Sequence, residues 1–111
     1  IMSQFVPIAR SPLFEIRESQ HVKGQLGVFS KANFKKGELL FDWSDTHEEC
    51  TQSHRSCDIG DKCYVYSYVE LGYINYRCDA NIMHDFVKRQ SFAIREIKRG
   101  DEIFRNYNVN S

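Results

Sequence analysis

The stretch YINYRCDAN at positions 73–81 decides the fold and the site, together with the stretch KRGDEIFRNY at positions 98–107. The first runs from apolar residues into Asn, Cys, Asp and Asn, which tolerate tight backbone geometry and present amide and carbonyl groups to a ligand. The second opens on a charged Arg-Gly-Asp turn and reaches a phenol, Tyr107, near the end of the chain. These features predict a ligand-binding loop followed by a short strand that carries an aromatic hydroxyl.

Both stretches resemble signatures of the SET-domain protein-lysine methyltransferases. The first is similar to the family motif R-F-I-N-H-S-C-x-P-N, which it matches at Ile74, Asn75, Cys78 and Asn81, with Tyr73 for the Phe. The second is similar to the family ending G-E-E-L-T-F-D-Y, and the separation of the two motifs also fits. The resemblance implies the SET β-clip architecture, in which the end of the chain threads beneath the Asn75 loop and brings Tyr107 close to it.

A third stretch, GQLGVFS at positions 24–30, resembles the family's cofactor loop G-x-G-V-F-A. Glycines at such positions also serve simple turns, and the spacing alone does not separate the two roles. The resemblance implies that S-adenosyl-L-methionine is held by Asn75, by the backbone of Tyr76, and by the backbone of Leu26 and Gly27.

The resemblance also implies methyl transfer to a lysine side chain of a protein substrate, with Tyr107 as the catalytic residue. Tyr66 and Arg105 are then expected to line the lysine channel. Tyr64, Tyr66 and Tyr68 alternate along a predicted strand, so their phenols share one face. For Tyr66 a channel wall and a water-facing sheet surface remain open, because aromatic faces suit both.

The chain departs from the family pattern at five positions, which are Gln25, Tyr76, Arg77, Ala80 and Arg105. The His that the family carries at position 76 acts largely through its main chain, so a Tyr there is compatible with the cofactor role. A guanidinium beside a cationic cofactor is unfavourable, so we expect Arg77 to turn outward or to pair with Asp79. The departures motivate an alternative function, a catalytically degenerate SET-like module that binds a protein partner.

Length and charge narrow the remaining function classes. The 111 residues predict one SET domain over positions 1–111, and because Ile1 precedes Met2 we expect Met2 to be the natural start. Fifteen basic and fifteen acidic residues balance, so no bulk attraction to nucleic acid or to an acidic membrane is expected. No secretory or membrane-spanning segment is found, so we expect a soluble protein of the cytoplasm or nucleus, or of the host nucleus if its source is a bacterium or virus.

The residue pattern predicts an all-β or β-rich domain of short strands with Gly-centred turns and little helix. Strands are expected over 12–18, 86–94 and 103–107, with at most one helical turn over 69–73. The segments FKKGELLF at 34–41 and IKRGDEIF at 97–104 echo each other, which indicates one turn chemistry used twice to start a strand. A Gly60-Asp61 turn predicts a two-residue hairpin, and residues 42–56 are expected to form a surface loop.

The four cysteines lack a C-x-x-C pair. A third hypothesis is a zinc-organised interaction domain, in which Cys50, Cys57 and Cys63 bind the metal together with His47 or His54. The irregular spacing favours free thiols and no metal.

Only residues 108–111 follow Tyr107. We therefore expect the outer wall of the lysine channel to come from a second copy, as in a homodimer, or from the substrate protein.

Overall fold

The computed structural model describes residues 5–45, 47–49, 56–59, 62–65 and 67–106, with only the backbone described between 47 and 65. These residues contain ten strands and one short 3₁₀ helix, in the order β1 Phe14–Glu18, β2 Leu26–Ser30, β3 Leu39–Asp42, β4 His47–Glu49, β5 Ser56–Ile59, β6 Lys62–Val65, the 3₁₀ helix Val69–Tyr73, β7 Asn75–Tyr76, β8 Ile82–Asp85, β9 Gln90–Ala93 and β10 Phe104–Arg105. The strand-rich composition and the single helical turn confirm the predicted fold class. Among the described residues, no helix has the length and apolar character needed to cross a membrane.

Strands β1 and β2 form an antiparallel hairpin at the centre of the core. The predicted strand from position 12 begins at Phe14, because the two preceding residues form a turn. All five residues of β2 are buried, and the Phe14 ring stacks on Phe41 and Phe34 with centroid separations of 4.5 and 5.6 Å. The strand that precedes the residues predicted to form a cofactor loop is thus tied to a cluster of stacked aromatic rings.

Strands β3, β9 and β8 form a second antiparallel sheet in that order. The prediction of one strand over 86–94 is wrong in its first half, because residues 86–89 form the turn that joins β8 to β9. The Asp85 carboxylate starts this turn by accepting hydrogen bonds from the backbone nitrogens of Val87 and Lys88, both at 3.0 Å. Arg89 completes it with a φ of +57°.

A third antiparallel sheet has the order β4, β6, β5. Ile59 pairs with Lys62 across two residues, which confirms the predicted hairpin. The prediction of a surface loop over 42–56 is wrong for two parts of that range, since β4 pairs with β6 and Trp43 is fully buried. A single large aromatic residue in a polar stretch therefore marked a core position.

The C-terminal strand β10 pairs in parallel with β7, with Phe104 opposite Asn75 and Arg105 opposite Tyr76. Asn81 fastens this pair: its side-chain oxygen accepts from the Phe104 nitrogen at 2.8 Å, and its side-chain nitrogen donates to the Glu102 carbonyl at 2.9 Å. The end of the described chain is thus threaded against the Asn75 loop, as the resemblance implied.

The two echoing segments, 34–41 and 97–104, pair with each other. Phe34 donates its backbone N–H to the Ile97 carbonyl at 2.7 Å, and Ile97 donates back to the Phe34 carbonyl at 2.9 Å. Each segment then turns and enters a strand, so the prediction of one turn chemistry used twice is confirmed.

Each of the two turns also donates a backbone hydrogen bond to the strand that precedes the other turn. Gly37 donates to the Ala93 carbonyl at 2.7 Å at the end of β9, whereas Gly100 donates to the Ser30 carbonyl at 2.8 Å at the end of β2. Each turn therefore caps the strand that leads into the other turn. Both glycines have a positive φ, +89° at Gly37 and +95° at Gly100, a conformation that a Cβ strains.

Replacing Gly100 or Gly37 by Ala should lower the free energy of unfolding by about 1–2 kcal/mol, because only the backbone conformation opposes a Cβ there. A Cβ at either glycine would meet no described heavy atom within 4 Å. Urea denaturation measures the loss. Gly100→Asn should lose less than Gly100→Ala, since Asn tolerates positive φ; equal losses for the two would contradict a conformational origin.

A buried polar chain lies in the sheet formed by β3, β9 and β8. The Trp43 indole donates to the Ser91 hydroxyl at 3.0 Å, and the Ser91 hydroxyl oxygen lies 2.6 Å from His84 Nδ1, within hydrogen-bond distance. Burial, with a smaller contribution from the nearby Arg105 charge, holds the pKa of His84 well below its usual 6.5. His84 is thus neutral in the folded chain.

The free energy of unfolding should fall as the pH is lowered below about 6.5, because His84 takes up a proton in the unfolded chain and stays neutral in the folded chain. The slope between pH 6.5 and 5 should reach up to about 1.4 kcal/mol per pH unit. Urea denaturation across this range tests it. His84→Gln should flatten the profile and the exposed-site control His21→Gln should not; an unchanged slope in His84→Gln would refute the assignment.

Candidate functional site

A cavity of about 360 Å³ lies between the loop before β2 and the segment that joins the 3₁₀ helix to β7. Its lining consists of Gln25, Leu26, Gly72, Tyr73, Ile74, Asn75 and Tyr76. Three of the residues predicted to hold a cofactor, Leu26, Asn75 and Tyr76, therefore meet at one cavity, although about fifty positions separate the first from the others. The lining combines aromatic rings with amide groups.

Asn75 is the most constrained residue of this cavity. Only 5% of it is exposed, and its side-chain nitrogen donates to the Leu26 carbonyl at 3.1 Å and to Glu102 Oε2 at 3.2 Å. Its side-chain oxygen accepts from Gln25 Nε2 at 2.5 Å. Because two acceptors face the nitrogen, the orientation of the amide is determined by its surroundings.

Gly27 lies behind the cavity and is not part of its lining. A Cβ at this position would lie 2.3 Å from Glu102 Oε2 and 3.2 Å from Asn75 Nδ2. A side chain at position 27 would therefore displace the Glu102 carboxylate from its present position.

Sequence reasoning missed Glu102, which is 6% exposed and accepts from the Ser19 hydroxyl at 2.8 Å and the Gln20 nitrogen at 3.1 Å. One signal was present: in a strand, position 102 shares the face of position 104, which holds the buried Phe104. An acid at an inward position indicates a buried carboxylate with several donors.

Arg105 was predicted in the lysine channel, and the structure places it behind the half-exposed ring of Tyr76. The residue is 6% exposed, and its guanidinium carbon lies 4.9 Å from the Tyr76 ring centroid and 5.7 Å from that of Phe86. These distances are typical of cation–π contacts. A buried cation thus supports the aromatic wall of the cavity.

Arg77, which stands where the family motif has Ser, pairs with Asp79 as expected. Its Nε lies 2.8 Å from Asp79 Oδ1, and one terminal nitrogen donates to Asp79 Oδ2 at 2.9 Å. The fork geometry neutralises the guanidinium locally and keeps its charge out of the cavity lining.

Tyr66 and Tyr107 lie outside the described residues, as do Cys50 and His54 of the zinc reading. Of the remaining zinc candidates, His47, Cys57 and Cys63, only the backbone is described. Within the described ranges no three His, Cys, Asp or Glu side chains are grouped to hold a metal ion. Cys78 of the family motif is an exposed thiol.

Comparisons with known proteins agree with this architecture. A crystal structure of a Plasmodium falciparum protein assigned as a histone methyltransferase superposes with a TM-score of 0.61 at 19% identity, covering 88% of this chain and 95% of that chain. A humanized mutant of the Chaetomium thermophilum Polycomb Repressive Complex 2, bound to an inhibitor, superposes with a TM-score of 0.62 at 20% identity, covering 86% of this chain and 15% of that chain. At these identities the likeness concerns the fold. No functionally curated protein matches the chain.

The family model of the SET domain matches residues 25–108, a range that includes the cavity, the Asn75 loop and the C-terminal strand. This protein therefore belongs to the SET-domain family.

Proposed function

We propose that this protein transfers a methyl group from S-adenosyl-L-methionine to a lysine side chain of a protein substrate. Membership of the SET family supports the reaction class, and so does the fold shared with the Plasmodium falciparum protein assigned as a histone methyltransferase. The proposal implies that the substrate is a protein of the cytoplasm or nucleus.

One observation carries the proposal: the loop before β2 and the Asn75 loop meet at one cavity, and the C-terminal strand pairs with the Asn75 loop from behind. Leu26 and Asn75 are joined in its wall by a hydrogen bond, and Phe104 pairs with Asn75 from behind. Two segments far apart in the chain are thus held together where a ligand can contact both.

The residues present fit S-adenosyl-L-methionine, which combines a purine ring with an amino-acid group. Aromatic and apolar side chains, Tyr73, Ile74 and Tyr76, offer surface for the ring, and the Asn75 amide with the nearby backbone offers polar partners. Gly27 provides close packing behind the Asn75 amide. We assign Asn75 and the backbone of Leu26 and Tyr76 to the cofactor, whereas Gly27, which the sequence also predicted there, lies behind this lining.

When bound, the cofactor supplies an electrophilic methyl group on a sulfonium. The lysine nitrogen must present its lone pair, so that an N–C bond forms as the S–C bond breaks and the electron pair of that bond stays on sulfur. The added charge then leaves the nitrogen as a proton to solvent. The chain's part is alignment, dehydration and a neutral amine. We assign the orientation of the amine to the Tyr107 hydroxyl and the channel wall to Tyr66.

Arg105 has a second role in this proposal. A buried guanidinium beside the cavity wall disfavours any other cation nearby, so it opposes the protonated form of an entering lysine amine and also opposes the cofactor's sulfonium. Its charge already contributes to the lowered pKa of His84. In this way a cation at position 105 is compatible with a lysine channel.

A second candidate function rests on Gln25. Its side chain donates to the Asn75 oxygen, so the chain itself occupies an acceptor that a cofactor would use. This contact favours a SET-like module that binds a protein partner without catalysis. Absence of cofactor binding by both the unmodified protein and Gln25→Ala would select this module over the enzyme.

Calorimetric titration with S-adenosyl-L-methionine should detect binding by the unmodified protein. Asn75→Ala should weaken it by at least about tenfold, because the variant removes a buried amide from the cavity lining. Asn33→Ala is the matched control, since Asn33 is exposed and does not line the cavity. Equal affinity of the Asn75 and Asn33 variants would refute the assignment.

Tyr107→Phe should reduce turnover about a hundredfold, since the hydroxyl that orients the amine is lost. Its affinity for S-adenosyl-L-methionine should stay within about twofold, because the proposed role begins only when the lysine is bound. Methylation of a protein and peptide panel, measured by mass spectrometry, gives the rate. Tyr68→Phe, a tyrosine outside the cavity lining, is the control; unaltered turnover in Tyr107→Phe would exclude the catalytic role.

A further inference from the structure

We infer that Glu102 is a positioning residue for the cofactor site and that it acts through Asn75. The inference rests on the proposed function, because it assigns to Glu102 a control over cofactor affinity. Glu102 is not part of the cavity lining, so its effect must pass through a neighbour.

The Asn75 amide has two possible orientations, and its surroundings select one. The Leu26 carbonyl and Glu102 Oε2 are both acceptors, and both lie within hydrogen-bond distance of the side-chain nitrogen. Turning the amide over would set its oxygen against two acceptors. The Asn75 oxygen consequently points away from Glu102, toward the position where Gln25 donates to it.

Glu102 can perform this selection because its own partners are all donors. The Ser19 hydroxyl oxygen accepts from the backbone nitrogens of His21 at 3.1 Å and Val22 at 3.0 Å, so its hydrogen is available for Glu102 Oε2. The Gln20 nitrogen donates to Oε1. A carboxylate accepts at both oxygens, whereas a glutamine would direct a donor at one side.

The absence of a side chain at Gly27 makes room for the Glu102 carboxylate beside β2. A Cβ at Gly27 would meet the Oε2 atom at 2.3 Å, so the glycine preserves the space that the carboxylate fills. The loop at 19–22, the strand β2, the Asn75 loop and the C-terminal segment are therefore linked through one acceptor group. Breaking its contact with Asn75 should release the amide without removing any cavity-lining atom.

A double-mutant cycle separates this role from a general effect on folding. Glu102→Gln should weaken S-adenosyl-L-methionine binding about tenfold, the size expected for a hydrogen bond to a charged group. In an Asn75→Ala background the same change should weaken binding by less than about twofold, because the residue through which it acts is gone. In the unliganded protein, the NMR signals of the Asn75 side-chain amide should shift on Glu102→Gln.

Glu96→Gln is the matched control, since it removes an exposed carboxylate and the same charge. If Glu102→Gln does not fold, Ser19→Ala replaces it in the cycle: this milder change keeps the carboxylate and removes one donor, and its smaller loss should also vanish with Asn75→Ala. Binding by the unmodified protein with fully additive losses would overturn the inference alone. Absence of binding by the unmodified protein would overturn the proposed function, and the inference with it.

Discussion

The clamp that Asn81 places on the C-terminal segment is the interaction on which the rest of the structure depends. Its side chain satisfies the Phe104 nitrogen and the Glu102 carbonyl, and its backbone nitrogen donates to the Phe104 carbonyl at 3.1 Å. These partners lie 21 and 23 positions away along the chain and are buried. Because a buried polar group without its partner costs about 1–3 kcal/mol, the clamp closes the loop only when every contact forms together.

The two turns around Gly37 and Gly100 provide the local half of this closure. Each uses short-range chemistry that the sequence repeats, yet each donates to a strand end far away, Ala93 or Ser30. The same turn sequence, used twice, thus forms two long-range hydrogen bonds, each to the strand that precedes the other turn. This pairing brings the segment after Gly100 alongside β2 before it reaches β7, which places Glu102 beside the residue that follows Leu26.

Local signals predicted the turns, the two-residue hairpin and the single helical turn, because Gly at positive φ and Gly-Asp pairs act within a few residues. Local signals failed at positions that are buried by residues far away in the chain. Trp43 was predicted in a polar surface loop, and Glu102 was not singled out, since the partners that bury them come from β9 and from residues 19–20. The Asn75 cavity was predicted from motif resemblance, whereas the buried position of Arg105 depends on Tyr76 and Phe86, which no local pattern connects to it.

The C-terminal segment sets opposite charges behind two neighbouring residues of the cavity wall. Glu102 accepts from the Asn75 amide, and the Arg105 cation supports the Tyr76 ring. Glu102 holds Asn75 by a hydrogen bond, whereas Arg105 holds the Tyr76 ring by a cation–π contact, so the two supports are different interactions. Arg105, where the family commonly has an aromatic residue, therefore alters the support of one wall residue while leaving the orientation of the Asn75 amide to Glu102. This separation explains how a departure at position 105 is compatible with an intact polar half of the site.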